Sequence, residues 1–157
     1  MIILGIDPGT ATTGYGVIEV LNKKKIKYVE CGVISTDKKS LKGDRLKYIN
    51  NALGKLIEKH RPDVLSLESL YFFKNVKTVM AVSQAQGVIL LTAAKKKIPV
   101  CEFNPLQVKL AITGYGRAEK PEVQKEIKNL LNLESIPKPD DAADGLALAI
   151  TYFLHSS

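Results

Sequence analysis

Residues 2–6, Ile-Ile-Leu-Gly-Ile, are an apolar run without polar alternation, the pattern of a strand buried on both faces. The run ends on Asp7, and Pro8-Gly9 follows at once, which predicts a turn. Apolar residues resume over 14–20 and again over about 26–35, so three successive strands are expected, with a second turn at Asn22-Lys23. The period then changes. Leu46, Ile49, Leu53, Leu56 and Ile57 recur at helical spacing within residues 44–60, and Arg61-Pro62-Asp63 stops that helix. Val64-Leu-Ser-Leu-Glu68 reads as a fourth strand, again ending on a carboxylate. Residues 76–96 read as a long helix rich in small and apolar residues, among them Met80, Ala81, Ala85, Gly87 and Val88. Such a helix is buried on more than one side, by its own fold or by a partner subunit. Residues 98–103 give a fifth strand, and 105–113, 119–131 and about 140–154 give further helices. Hairpins followed by strand–helix–strand units predict an α/β fold with a mixed sheet covered by helices.

The 157 residues fit a single domain with a sizeable core, and no linker, repeat or low-complexity segment divides them. No apolar stretch reaches the roughly 18 residues of a membrane span. The chain starts directly on a strand without the basic and small-residue pattern of a secretory signal, so a cytoplasmic protein is expected. Cys31 and Cys101 lie far apart in apolar contexts and read as small core residues. Charge adds more. Lys and Arg number 23 against 16 Asp and Glu, a formal net charge of +7, which suggests a polyanionic partner such as nucleic acid.

A basic chain with strand-end carboxylates poses a question of charge. Asp7 and Glu68 each close an apolar run, and ligands of α/β sheets gather outside strand ends. Asp141 and Asp144, three residues apart at the start of the last helix, share one helical face. Helix capping and the helix dipole account for aspartates there, but not for Asp7 and Glu68. Four carboxylates in one pocket repel unless cations neutralise them. Two Mg²⁺ ions roughly 4 Å apart would do so, and would also hold a scissile phosphate for in-line attack by water. His60 and His155 sit at helix ends and are expected to face water.

At this point the residues resemble a known family. Ile3-Leu-Gly-Ile-Asp-Pro-Gly-Thr10 with Thr13-Gly-Tyr-Gly-Val17, then 67–75, 84–88, 107–109, 113–120 and Asp141-Ala-Ala-Asp-Gly-Leu-Ala-Leu-Ala149, resemble in order the RuvC family of bacterial Holliday junction resolvases. The resemblance implies a ribonuclease-H-like fold, a five-stranded mixed sheet flanked by helices. It implies a Mg²⁺-dependent endodeoxyribonuclease, with Mn²⁺ as a substitute, acting in recombination and repair. It implies a homodimer that makes paired symmetric nicks in four-way junctions and works with the RuvA/RuvB branch-migration complex. The family's acidic quartet falls on Asp7, Glu68, Asp141 and Asp144; some members carry His at the third position, where this chain keeps a carboxylate. Its DNA-contacting lysines fall on Lys109 and Lys120. An aromatic residue that stacks on junction bases falls on Tyr71, where well-known relatives have Phe, and Phe72, Phe73 and Lys74 follow it as further candidate contacts. The helix over 76–96 lies where the family forms its dimer interface, which favours a partner subunit as the cover.

Three other readings meet the same residues. The Asp-x-Gly-Thr loop with a later Gly also occurs in ATP-binding phosphotransferases of the actin and sugar-kinase type. Those need two such domains and a second phosphate loop, for which this chain is too short. A non-catalytic junction-binding protein would need a broken quartet, and the quartet is intact. A related family acting in ribosomal RNA maturation shares the fold, but the Asp-Ala-Ala-Asp helix and the aromatic-Lys-Asn segment favour RuvC.

Overall fold

The computed structural model describes residues 1–69 and 76–156, with only the backbone of Lys77. Its elements in chain order are β1 (Ile2–Asp7), β2 (Thr12–Asn22), β3 (Lys25–Ser35), α1 (Lys42–His60), β4 (Val64–Glu68), α2 (Val76–Lys95), β5 (Val100–Phe103), α3 (Pro105–Thr113), α4 (Lys120–Leu130) and α5 (Asp140–Ser156). The strands form one sheet in the order β3-β2-β1-β4-β5. The first hairpins pair antiparallel, and β4 and β5 add in parallel beside β1. This is the five-stranded mixed sheet expected from the sequence. The second strand starts earlier than its apolar pattern, at Thr12, and the fifth is shorter, since Ile98 and Pro99 precede it.

Alternation along the strands divides the core in two. Leu4, Ile6, Val17, Leu65 and Leu67 face α1 and α2, where Ile49, Leu53, Ile57, Ala85 and Ile89 meet them. Ile3, Ile18 and Val64 face the other way, against α3, α4 and above all α5. The odd-numbered positions of β1 therefore look at α5, and Asp7 is the last of them. The parallel register Ile6↔Leu67 sets Asp7 beside Glu68. Asp63 fixes that register at the other end. Its carboxylate accepts from the Ile2 N–H at 2.6 Å, and its own N–H donates to the Ile2 carbonyl at 2.9 Å.

Glycines decide how near α5 can come. A Cβ on Gly5 would lie 2.1 Å from the Gly145 carbonyl oxygen, and one on Gly16 2.4 Å from the Leu146 nitrogen. At Gly14 it would lie 1.8 Å from the Asp141 carbonyl oxygen, and at Gly145 2.4 Å from the Tyr15 carbonyl carbon. Gly5 pairs with Gly16 across the hairpin, and Asp7 pairs with Gly14. The helix thus rests backbone against backbone on a seat that admits no side chain. Ser66 ties β4 to the same helix, its hydroxyl donating to the Leu148 carbonyl at 2.7 Å.

Candidate active site

Three elements deliver four carboxylates to one corner of the molecule: the ends of β1 and β4, and the first turns of α5. One carboxylate oxygen from each of Asp7, Asp141 and Asp144 lies within 4.8 Å of the others. Glu68 completes the group through a hydrogen bond between its carboxyl and that of Asp7. All four are half-buried. The glycine seat explains the convergence, because Gly14 lies next to Asp7 in the sheet and directly beneath Asp141.

This assembly perturbs its own protons. Burial, then the charges of Glu68 and Asp144, push the Asp7 carboxyl from 3.8 up to about 8, with the Glu68 hydrogen bond and Asp141 adding to the rise. Burial also raises Asp144, against the opposing hydrogen bond from Lys120. Near neutral pH, Asp7 therefore keeps a proton that the Glu68 hydrogen bond shares. A pocket of hard oxygen donors that must hold a proton to exist without a cation is chemically suited to a divalent metal. Asp7, Glu68, Asp141 and Asp144 supply the donors such an ion takes.

Lys120 lies closer to this chemistry than its sequence position suggests. The capping box of Glu119 and Glu122 sets it at the first position of α4. Its ammonium donates to Asp144 Oδ2 at 3.0 Å and lies 3.7 Å from Asp140 Oδ2. Burial alone would lower the Lys120 pKa, but the Asp144 hydrogen bond and the nearby aspartates raise it on balance. Asp140 accepts from Gln124 Nε2 at 3.2 Å and lies outside the group of three carboxylates. Lys109 stands half-buried on α3 with no ion-pair partner among the described residues. Tyr71, Phe72, Phe73 and Lys74 lie outside the described residues.

The turn after Asp7 is held from two sides. The Thr13 hydroxyl donates to the Gly9 carbonyl at 2.7 Å, and the Thr36 hydroxyl donates to the Thr10 carbonyl. Arg45 Nε donates in turn to the Thr36 hydroxyl at 2.9 Å. Nothing in the sequence pattern linked Arg45, Thr36 and Thr10, which meet only through the hairpin and α1.

One expectation fails here. His60 does not face water: its side chain is 9% exposed and its Nε2 lies 3.0 Å from Glu30 Oε2. Glu30 on β3 reaches over the end of α1, also pairing with Lys59 and accepting from the Tyr15 hydroxyl at 3.0 Å. His155 is exposed, as expected, with its ring tilted against Phe103.

The family model for "Crossover junction endodeoxyribonuclease RuvC" matches residues 3–152. This chain belongs to the RuvC family. Within that family, a protein of that description from Caldicellulosiruptor saccharolyticus is 47% identical over 157 residues, covering all of this chain and 95% of the relative. One from Thermosipho melanesiensis is 50% identical over 149 residues, 95% of this chain and 94% of its own. Among solved structures, Thermus thermophilus RuvC in complex with Holliday junction substrate superposes with a TM-score of 0.94 at 30% identity, over 99% of this chain and 94% of that one. The RuvC match runs through all five strands, so the ribonuclease-H-like sheet expected from the residues is the fold of this protein.

Proposed function

We propose that this protein is a structure-selective endodeoxyribonuclease that resolves four-way Holliday junctions by paired nicks. The observation that carries the proposal is the carboxylate cluster of Asp7, Asp141 and Asp144, joined by Glu68 through its hydrogen bond with Asp7. Family membership and the likeness to a junction-bound RuvC support the choice of substrate.

Asp7, Glu68, Asp141 and Asp144 would hold divalent ions, Mg²⁺ by the hardness of the donors, with Mn²⁺ as a substitute. Bound there, such ions would activate water and stabilise charge on the phosphate and the leaving oxygen. The residues have their own tasks. Asp7 must lose its proton before both its oxygens are free to ligate, and Glu68 is the neighbour that holds it. Lys120 offers an ammonium at the rim of the site for the strand's phosphates, and Lys109 offers another along α3. Tyr71, with Phe72, Phe73 and Lys74, is proposed as the base-stacking and strand-contacting segment.

The protein is proposed to act as a homodimer through α2. One side of α2 is buried in the fold, at Ala85, Ile89 and Ala93. Val76 (72% exposed), Met80 (61%) and Leu91 (53%) lie open on other faces of the helix, with Gly87 unobstructed among them. A second copy on these faces would complete the burial on more than one side expected from the sequence. A two-fold dimer would present two sites to a two-fold-symmetric junction. Cooperation with the RuvA/RuvB branch-migration complex and a place in the cytoplasm belong to the same reading. No helix among the described residues is long and apolar enough to cross a membrane.

The test is direct. Purified protein with Mg²⁺ is expected to nick a four-way junction at symmetric positions, and Asp7→Asn to bind the junction without cutting. Equal cleavage of linear duplex, or full activity in Asp7→Asn, overturns the proposal.

A further inference from the structure

A further concavity lies apart from the carboxylate cluster. It is a groove of about 370 Å³ between the starts of α1 and α2, lined by Thr10, Lys42, Arg45, Leu46, Met80, Ala81 and Gln84. Its rim is basic and its floor apolar. Lys42 is exposed and Arg45 half-buried, and among the described residues neither forms an ion pair. Among the described residues Arg45 spends only its Nε hydrogen, on Thr36 at 2.9 Å, and the paired N–H groups at the end of its fork take no partner there. Asp44, the nearest acid in sequence, is exposed and does not line the groove.

The position matters as much as the charge. Thr10 belongs to the turn that leaves Asp7, so the groove begins three residues from the carboxylate cluster. Lys120 on α4 meets that cluster at Asp144, and Lys109 stands on α3, both helices lying on the α5 side of the sheet. Lys42 and Arg45 stand on α1, on the opposite side. A strand laid across the cluster would meet cations on only one bank if Lys109 and Lys120 were its sole contacts.

We propose that this groove is a second backbone-binding station for the strand being cut, in which Lys42 and Arg45 hold a phosphodiester next to the scissile one. Leu46 and Met80 then meet the deoxyribose, whose faces are apolar. Arg45 also joins the station to the catalytic turn, since the Thr36 hydroxyl it holds donates to the Thr10 carbonyl. The inference rests on the junction-cleaving function proposed above and adds to it a binding surface on the α1 side.

The experiment measures four-way-junction binding against salt concentration, by fluorescence anisotropy, in an Asp7→Asn background that cannot cut. Each lost phosphate contact lowers the slope of log affinity on log salt by about 0.9. Lys42→Ala and Arg45→Ala are each expected to lower it by about that amount, and the double variant by about twice as much. Affinity at low salt should fall roughly 3- to 10-fold per substitution, the difference shrinking as salt rises. Arg45→Lys should keep most of the slope. Lys59→Ala, on the far end of α1, should keep all of it. Lys42 makes no hydrogen bond among the described residues, so Lys42→Ala separates charge from structure. An unchanged slope in Lys42→Ala overturns the inference, even if Arg45→Ala weakens binding by loosening the Thr10 turn. A parent protein that binds linear duplex as tightly as the junction would instead overturn the function on which the inference rests.

Discussion

The two faces of the sheet hold their helices by different means. On the α1–α2 face, Leu53, Ile57, Ala85 and Ile89 interpose side chains between helix and strand. Such a core stands about one side-chain layer thick and can adjust when a side chain changes. On the α5 face, Gly5, Gly14, Gly16 and Gly145 remove that layer, and main chain touches main chain. The first arrangement tolerates adjustment. The second fixes where Asp141 and Asp144 stand relative to Asp7, and it has no slack. The geometry of the carboxylate cluster resides where glycines bring the two main chains together.

The largest effect is expected where this difference is attacked directly. Gly14→Ala places a methyl group in the Asp141 main chain and must lift the start of α5. Cleavage should fall on the order of a thousandfold or more, and stability by roughly 3 kcal/mol or more. Leu53→Ala, on the other face, should cost a similar roughly 2–5 kcal/mol by leaving a cavity, yet leave the cleavage rate of the folded fraction near wild type. Denaturant titration paired with single-turnover cleavage of both variants is the check. A Gly14→Ala protein that cuts normally would dissolve the comparison.

Next in size is Asp7→Asn. Removing one member of a crowded, half-buried acid cluster relieves repulsion, so the metal-free variant should melt higher than wild type, by on the order of 5 °C, while losing activity. Calorimetry in chelator measures it, and a lower melting temperature would mean that the cluster is not under electrostatic stress.

The pH dependence sharpens the same point. Asp7 titrates near 3.8 when unfolded and at about 8 when folded, so the folded state favours its proton. Its contribution to stability is complete below about pH 4 and is lost as pH rises through about 8. Metal-free wild type should therefore lose melting temperature relative to Asp7→Asn between about pH 4 and pH 8, the span between the two values. Added Mg²⁺ should erase that difference by replacing the proton. A flat difference without metal contradicts the account.

The smallest effect belongs to Lys120. Its pair with Asp144 is half-exposed and screened, so Lys120→Ala should change metal-free stability by less than about 1 kcal/mol. It should weaken junction binding and flatten its salt dependence instead.

The sequence made the carboxylates legible because strand ends and a three-residue helical spacing are local signals. Asp7 and Glu68 each close an apolar run, and Asp141 and Asp144 share a face whatever the rest of the chain does. The seat beneath them was not legible. Gly14 and Gly16 read as weak strand positions beside the Pro8-Gly9 turn, because the helix they admit comes more than a hundred residues later. His60 shows the same limit in a smaller way. A helix-end histidine reads as solvated until Glu30, from another hairpin, covers it. The resemblance names Lys120 as a DNA contact, but only the packing of α4 against α5 shows that it also reaches Asp144.

The parallel register Ile6↔Leu67 carries a consequence for how this gene can change length. Side chains alternate faces along a strand, so deleting or inserting one residue within β1 or β4 would turn Asp7 or Glu68 through the sheet into the α1–α2 core. There an unpaired carboxylate would meet Leu4, Ile6, Leu65 and Leu67. Insertions in the stretch between β3 and α1, around residues 37–40, shift no ladder and bury no charge. Length variation among working relatives should accumulate in such connections, while the spans from Ile2 to Asp7 and from Asp63 to Glu68 keep their residue count.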